Sequence, residues 1–336
     1  MELSYDRQTK IAENIKKRPR GVLRVFVAFI ILAALISGVL VPSYFIKEDA
    51  IQRLYTDNVL ARITVDVRRS IQEIESGLQT VDNPAEVSDI DRILRDISNS
   101  SSYTLGVFFT DNNNVLLHSI GRPAGGSTEY YDLILPVKNE EGFETASVRV
   151  RLDKDIINNA AKDMIKQEFI QSLAIGLELL GLGLILLMII RPKTTGILVT
   201  VILFTLIALS LDFTLFYIQY SAAAESLTVQ TVNRITQILQ NDADLLKTAG
   251  ASLSSIYDLN DWLKNLLHDI PAINTMSINS HMRVTLNAST AFIEQYSIDL
   301  IWCYVAVFAM FAGAAVIAII SRVVFVKYRS KNITTN

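Results

Sequence analysis

Arginine, tyrosine and histidine side chains that could contact a small ligand lie between residues 118 and 151. An arginine guanidinium offers a planar fork that fits a carboxylate, and a tyrosine adds an apolar ring with a polar tip. Together these residue types suit a small ligand that carries a carboxylate. The first choices for ligand contacts are Arg122, Tyr130 and Tyr131, and the secondary choices are His118, Arg149 and Arg151.

The alternative interpretation of these residues is structural. Arg149 and Arg151 flank Val150, so in a β-strand both arginines lie on the face opposite to the valine. They can then point into solvent while the tyrosines belong to an apolar core. The sequence leaves both interpretations open.

Two carboxylates lie inside long apolar runs. Glu178 and Asp212 occur in consecutive runs that are joined by a very short turn, so we expect antiparallel neighbours with both acids at similar depth. An ionised acid within a bilayer costs about 3 kcal/mol, and such residues usually face the interior of a helix bundle. One interpretation is a proton-linked or signalling contact. The favoured alternative is a pair of protonated carboxyls hydrogen-bonded to Gln171, Ser172, Ser210 or a partner chain.

Sequence signatures of enzymes are absent. The chain contains no GxxxxGK[ST], HExxH, GxSxG or CxxC pattern, and its only histidines are His118, His268 and His281. We therefore predict a protein that is not an enzyme and that binds no cofactor or metal. Residues 42–168 carry 21 acidic against 14 basic side chains, which argues against nucleic-acid binding.

Four apolar runs are the main elements that must position these residues. The runs cover residues 22–41, 169–190, 195–219 and 298–321. Each is long enough to cross the roughly 30 Å hydrocarbon core of a bilayer, which takes about 20 residues. The chain is thus predicted to be a multi-pass membrane protein in contact with lipid, and its first run is an uncleaved anchor rather than a signal peptide.

Lysine and arginine near the run ends predict the orientation. They are enriched in the leader (1–21), the short turn (191–194) and the tail (322–336), which we assign to the cytoplasm. Segments 42–168 and 220–297 are then expected to lie outside the cytoplasm, and the expected location is the cell (inner) membrane. The single cysteine, Cys303, allows no intrachain disulfide, so ordinary cores must hold these segments.

The two outer segments resemble each other. Residues 44–46 match 216–218 and residues 62–64 match 234–236, both at an offset of 172. Residues 93–97 match 266–270 at an offset of 173, beyond the end of the long helix. Shared helical composition is the alternative, but it would not hold register through the intervening loop. We predict an internal duplication of a helix–outer domain–helix unit.

The spacing between apolar residues changes along the first outer segment. Apolar residues recur every three or four positions from 47 to 81, which predicts a long helix that ends before Pro84, and a shorter helix follows. Alternation then predicts strands over 103–110, 115–120, 130–137 and 145–152, before an exit helix over 153–168.

This order resembles the Cache or PAS-like extracytoplasmic sensor domains (the PDC type) of bacterial receptors. The resemblance covers residues 45–165 and rests on Val107-Phe108-Phe109-Thr110-Asp111 leading into Val115-Leu116, and on Leu135-Pro136-Val137 followed by Ala146-Ser147-Val148-Arg149-Val150. It implies a small ligand, often an organic acid or amino acid, bound between the central sheet and the loops over it. The second outer segment repeats the long helix, a short helix over 259–270 and one hairpin over 275–286, so it is predicted to be a truncated copy.

The sequence as a whole predicts an α-helical four-span membrane protein with α+β, Cache/PAS-like extracytoplasmic domains. The expected function is a sensor subunit that detects a small molecule or an envelope state. The predicted cytoplasmic pieces are too short for an output domain, so the signal must pass to a partner membrane protein or a homodimer mate. The alternative is a non-sensing scaffold or accessory subunit of a transporter or envelope complex.

Overall fold

Helices and two small antiparallel sheets make up this computed structural model, which describes residues 2–79, 81, 83–121, 129–139, 141–190, 194–250 and 267–333. In chain order the elements are α1 (Glu2–Leu78), a 3-10 turn (Pro84–Glu86), α2 (Ile90–Ser100), β1 (Thr104–Asp111), β2 (Leu116–Gly121), β3 (Tyr130–Lys138), β4 (Glu144–Asp153), α3 (Lys154–Ile190), α4 (Thr194–Thr248), β5 (Ile273–Ile278), β6 (Val284–Ala288) and α5 (Thr290–Ile333).

Four helices are long and apolar enough to cross a membrane, in agreement with the sequence prediction of four spans. Their described parts are Phe26–Leu78, Lys154–Leu186, Val199–Thr248 and Thr290–Gly313. Large apolar side chains such as Phe26, Leu177 and Trp302 are 59%, 62% and 67% exposed on these helices, as lipid contact requires. The protein is a multi-pass membrane protein by these criteria.

The contacts divide the chain into two compact units. The bundle unit comprises residues 1–49, 165–219 and 298–336, and the sheet unit comprises residues 50–164 and 220–297. Helices α1, α3, α4 and α5 each contribute residues to both units.

The bundle unit has an apolar core built from α1, α3 and α4. Its buried members are Leu32, Ile36, Leu179, Val201, Phe204 and Ala208. Gly176 and Gly183 of α3 lie against Leu40 and Leu32 of α1, where a Cβ atom would collide with these leucines. The glycines therefore allow close helix packing.

The first lobe of the sheet unit contains a four-stranded sheet in the order β2-β1-β4-β3, with all neighbours antiparallel. One face packs on α1 and α2, because alternate residues such as Val107, Phe109, Val148 and Val150 are apolar and fully buried. The strands agree with the predicted ones to within one residue at each end. The opposite face of the sheet is not covered by α1 or α2.

The second lobe is smaller and shares α1 with the first. The β5–β6 hairpin packs on α4, and Ala61 and Val65 of α1 belong to this core, whereas Ile63 and Val67 belong to the core of the first lobe. Two opposite faces of one helix thus serve two lobes. A short helix was predicted over 259–270, and most of it lies outside the described residues. Of the part that is described, residues 267–269 are helical.

Candidate functional site

Chemically active side chains lie close together at two places in the structure. The first is the face of the four-stranded sheet that points away from the apolar core, called here the free face. Arg149 and Arg151 lie on it because they alternate along β4 with buried Val148 and Val150. The register pairs Arg149 with Phe108 of β1 and Ile134 of β3, and it pairs Arg151 with Asp132.

Arg151 is held in place by neighbours on the free face. Its Nε donates to Asp132 Oδ1 at 3.0 Å and its Nη2 donates to Asp132 Oδ2 at 3.3 Å. The guanidinium carbon lies 3.8 Å from the ring centre of Tyr130 and 5.1 Å from that of Phe108. The hydrogen bond with Asp132 raises the pKa of Arg151 above its ordinary value. Arg151 therefore already has its counter-charge.

Arg149 has no such counter-charge among the residues that the structure describes. Its Nε is buried and lacks a hydrogen-bond partner, although the side chain as a whole is half-buried. The exposed side chain of Ile134 and the ring of Phe108 lie on either side of it in the sheet. A buried guanidinium nitrogen without a partner is costly, so this position suits an anion with an apolar body.

The predicted ligand residues come together only in part. Tyr130, Arg149 and Arg151 share the free face. Tyr131 packs against the apolar core on the other face, and His118 Nδ1 lies 3.1 Å from Asp91 Oδ1 of α2. Arg122 lies outside the described residues.

The second place is a buried ionic cluster of Lys47, Glu168 and Asp212 in the bundle unit. Lys47 Nζ lies 2.6 Å from Asp212 Oδ1 and 3.4 Å from Glu168 Oε2. The three side chains belong to α1, α3 and α4, and none is more than 3% exposed. The ring of Phe216 lies under the ammonium group, 5.0 Å from Nζ.

Three hydroxyl groups complete the cluster. Lys47 Nζ donates to Ser172 Oγ at 2.9 Å, and Ser172 donates to Asp212 Oδ1 at 2.8 Å. Ser43 donates to Asp212 Oδ2 at 2.7 Å and lies 2.6 Å from Tyr304 Oη of α5. Each of the four long helices thus contributes at least one polar group to this cluster.

Sequence reasoning found Asp212 and its partner Ser172 but missed the other members. Lys47 and Glu168 fall just outside the apolar runs, so they were assigned to the outer segments. A signal was present, since Ser43 and Lys47, and likewise Glu168 and Ser172, are spaced four residues apart and share a helix face.

Glu178 does not join Asp212. Its side chain lies on the exposed face of α3 and has no polar partner in the described part of the chain. Gln171, expected near these acids, instead accepts a hydrogen bond from Gln219 at 3.0 Å. The expectation that Glu178 and Asp212 form one polar contact is therefore not met within this chain.

No group of three or more histidine, cysteine, aspartate or glutamate side chains within the described residues could hold a metal ion. Comparison with known proteins gives no matching family model, no similar curated protein and no similar solved structure. The function must therefore be argued from the free face and the buried ionic cluster.

Proposed function

We propose that the protein is an extracytoplasmic sensor subunit of the bacterial inner membrane, which detects a small molecule and signals to a partner membrane protein. The observation that carries this proposal is Arg149, whose buried Nε has no hydrogen-bond partner among the described residues of the free face. Most buried polar groups in proteins are hydrogen-bonded, so an unpaired guanidinium nitrogen here supports a binding partner at this position.

The ligand class that fits is a small organic acid or amino acid. Its carboxylate would accept hydrogen bonds from Arg149, which are charge-assisted and therefore among the stronger ones. Phe108 and Tyr130 offer ring surface for an apolar body, and the Arg151–Asp132 pair offers both a donor and an acceptor.

The architecture supports a sensor-domain origin for the first lobe. A four-stranded antiparallel sheet with helices on one face agrees with the resemblance to Cache or PAS-like domains. The second lobe, with one hairpin against α4, would be the truncated copy that arose by internal duplication. In this view the second lobe is structural, because its described residues form one hairpin and no counterpart of the β3–β4 hairpin that carries Arg149 in the first.

Signal output would follow the long helices. Helix α3 begins directly after β4, the strand that carries Arg149, and continues into the apolar stretch of the bundle unit. A shift of β4 on ligand binding would therefore act on α3 without an intervening loop. We assign no catalytic step to the chain, so a partner would read the shift, and the exposed Glu178 on α3 gives a membrane partner a polar group to contact.

A scaffold function is the second candidate, and an apolar patch favours it. Val115, Leu116 and Phe143 are 56%, 53% and 66% exposed at the two hairpin turns of the first lobe. Both turns lie at the same end of the sheet, because Asp111 pairs with Ala146. Such a patch could dock another protein without any ligand.

Calorimetry on the purified full-length chain, titrated with a panel of small carboxylates and amino acids, tests the sensor proposal. We expect at least one compound to bind, and Arg149→Gln to weaken that binding by about 10- to 100-fold, since a hydrogen bond to a charged group is worth about 1.5–3 kcal/mol. The matched control is Arg92→Gln, an exposed arginine on α2 whose partners Glu73 and Asp96 are also exposed.

Two results would count against ligand sensing. One is a panel in which no compound binds the folded chain. The other is binding that Arg149→Gln and Arg92→Gln weaken equally, which would indicate a general charge effect. Either result would leave the apolar patch, and hence the scaffold function, as the better explanation.

A further inference from the structure

The buried ionic cluster carries an unequal number of opposite charges. It contains one ammonium group, Lys47, and two carboxyl groups, Glu168 and Asp212, and all three are almost completely buried. With every group ionised, the cluster would hold an uncompensated negative charge. Burial of such a charge is strongly unfavourable, and buried groups escape the cost by taking up a proton.

The hydrogen bonds show which carboxyl is the better anion. Asp212 accepts from Lys47, Ser172 and Ser43 at 2.6–2.8 Å, so both of its oxygens are satisfied. Hydrogen bonds of this kind stabilise the ionised form of a carboxyl.

Glu168 lacks this support. Its Oε2 lies 3.4 Å from Lys47 Nζ, and its Oε1 is buried without a hydrogen-bond partner within the described residues. The titratable groups that face it are Lys47 of α1, Asp212 of α4 and Tyr304 of α5. Only one of these is a cation, and Asp212 already holds that cation more closely.

We propose that the cluster is a proton-binding site, in which Glu168 carries one exchangeable proton at neutral pH while Asp212 and Lys47 remain ionised. Proton uptake makes the cluster electrically neutral, and proton loss leaves a buried negative charge among four helices. The bundle unit would thereby respond to protons independently of any ligand at the free face. This inference does not rest on the sensor function.

Infrared spectroscopy of the full-length chain in lipid nanodiscs tests the proposal, because a protonated carboxyl has its own carbonyl band. All variants are made in a Glu178→Gln background, which removes the exposed acid of the apolar stretch of α3. This parent chain should show the band at neutral pH and lose it reversibly at alkaline pH. The band should be missing from Glu168→Gln, in which a neutral amide replaces the protonated acid. It should persist in Asp163→Asn, which changes an exposed acid on the same helix.

Two further variants follow the charge count and do not depend on Glu168→Gln folding. Asp212→Asn leaves one carboxyl against one ammonium, so Glu168 should ionise and the band should vanish. Lys47→Met leaves two carboxyls and no cation, so the band should roughly double. A band unchanged in Glu168→Gln, a stronger band in Asp212→Asn, or a weaker band in Lys47→Met would overturn the proposal. So would a band that appears only when sodium is replaced by choline, which would indicate a bound metal cation instead of a proton.

Discussion

Glu75 of α1 shows at the scale of one residue how burial changes acid–base behaviour in the sheet unit. The residue lies well beyond the apolar run 22–41, and its Oε1 accepts a hydrogen bond from the backbone N–H of Lys138 at 2.9 Å. Burial raises the pKa of Glu75 above its ordinary value, and the hydrogen bond from Lys138 and the charge of Arg68 only partly offset that effect. Folding therefore favours the protonated form of Glu75.

The pH dependence of stability follows from the direction of this shift. Because the folded-state pKa lies above the unfolded-state pKa, the contribution of Glu75 to stability is fully present below the unfolded pKa. It is lost as the pH rises through the folded pKa. Glu75→Gln should therefore raise the melting temperature at neutral pH and change it little at acidic pH, since glutamine can accept the same hydrogen bond.

Thermal unfolding of the full-length chain between about pH 4 and pH 8 measures this difference. The control is Glu73→Gln, which changes a carboxyl that is 53% exposed two residues away. A destabilising effect of Glu75→Gln at neutral pH, or an equal effect of both variants at every pH, would contradict the assignment.

Residue types alone predicted part of the candidate sites. Alternation along β4 was enough to place Arg149 and Arg151 opposite to Val150, and the cost of a buried acid was enough to place Asp212 inside the bundle. Lys47 could not be assigned in the same way, because a lysine just beyond an apolar run usually lies in water. Its burial depends on α3 and α4, which place Glu168 and Asp212 next to it. These segments are distant from Lys47 in the sequence, so the four-residue spacing is the only local sign of the contact.

At the scale of elements, helix α1 joins the two lobes of the sheet unit. Arg68 of α1 donates from Nη1 to the backbone oxygen of Pro136 in β3 at 2.8 Å, and its Nε pairs with Asp269, just before β5. Arg68 and Asp269 are only 14% and 17% exposed. One side chain therefore connects both lobes, and its planar fork serves two acceptors at once.

Arg68→Lys should destabilise the sheet unit by about 1.5–3 kcal/mol, because an ammonium group cannot reach both acceptors and a hydrogen bond to a charged group is lost. Arg69→Lys is the matched control, since its pair with Asp242 is partly exposed and should be worth at most about 1 kcal/mol. Denaturant unfolding of both variants measures the difference. Equal losses would show that Arg68 does not connect the lobes.

Secondary structure was predictable wherever one apolar period dominated. The strands of the first lobe alternate cleanly, and Asn83-Pro84 marks the end of α1, where the Asn83 side chain accepts from the N–H of Ala85. That α1 contributes to the cores of both lobes was not predictable, because the apolar stripe through Ile63 and Val67 was already sufficient to predict the helix and one buried face. Ala61 and Val65 became core residues only through the second lobe, which packs on the opposite side of α1.

At the scale of the whole molecule, the sensor proposal depends on topology. Four apolar helices separate the sheet-forming segments from the basic leader, turn and tail, and the positive charges predict which side of the membrane each segment occupies. A sensor of external molecules must expose the free face outside the cytoplasm.

Labelling with a membrane-impermeant thiol reagent in intact cells tests this claim most directly. In a Cys303→Ser background, Asn113→Cys places a thiol at the exposed β1–β2 turn, and Lys193→Cys places one in the short turn between the second and third apolar runs. We predict that Asn113→Cys is labelled in intact cells and that Lys193→Cys is labelled only after the membrane is permeabilised. The reverse pattern would put the sheet unit in the cytoplasm and contradict the sensor function.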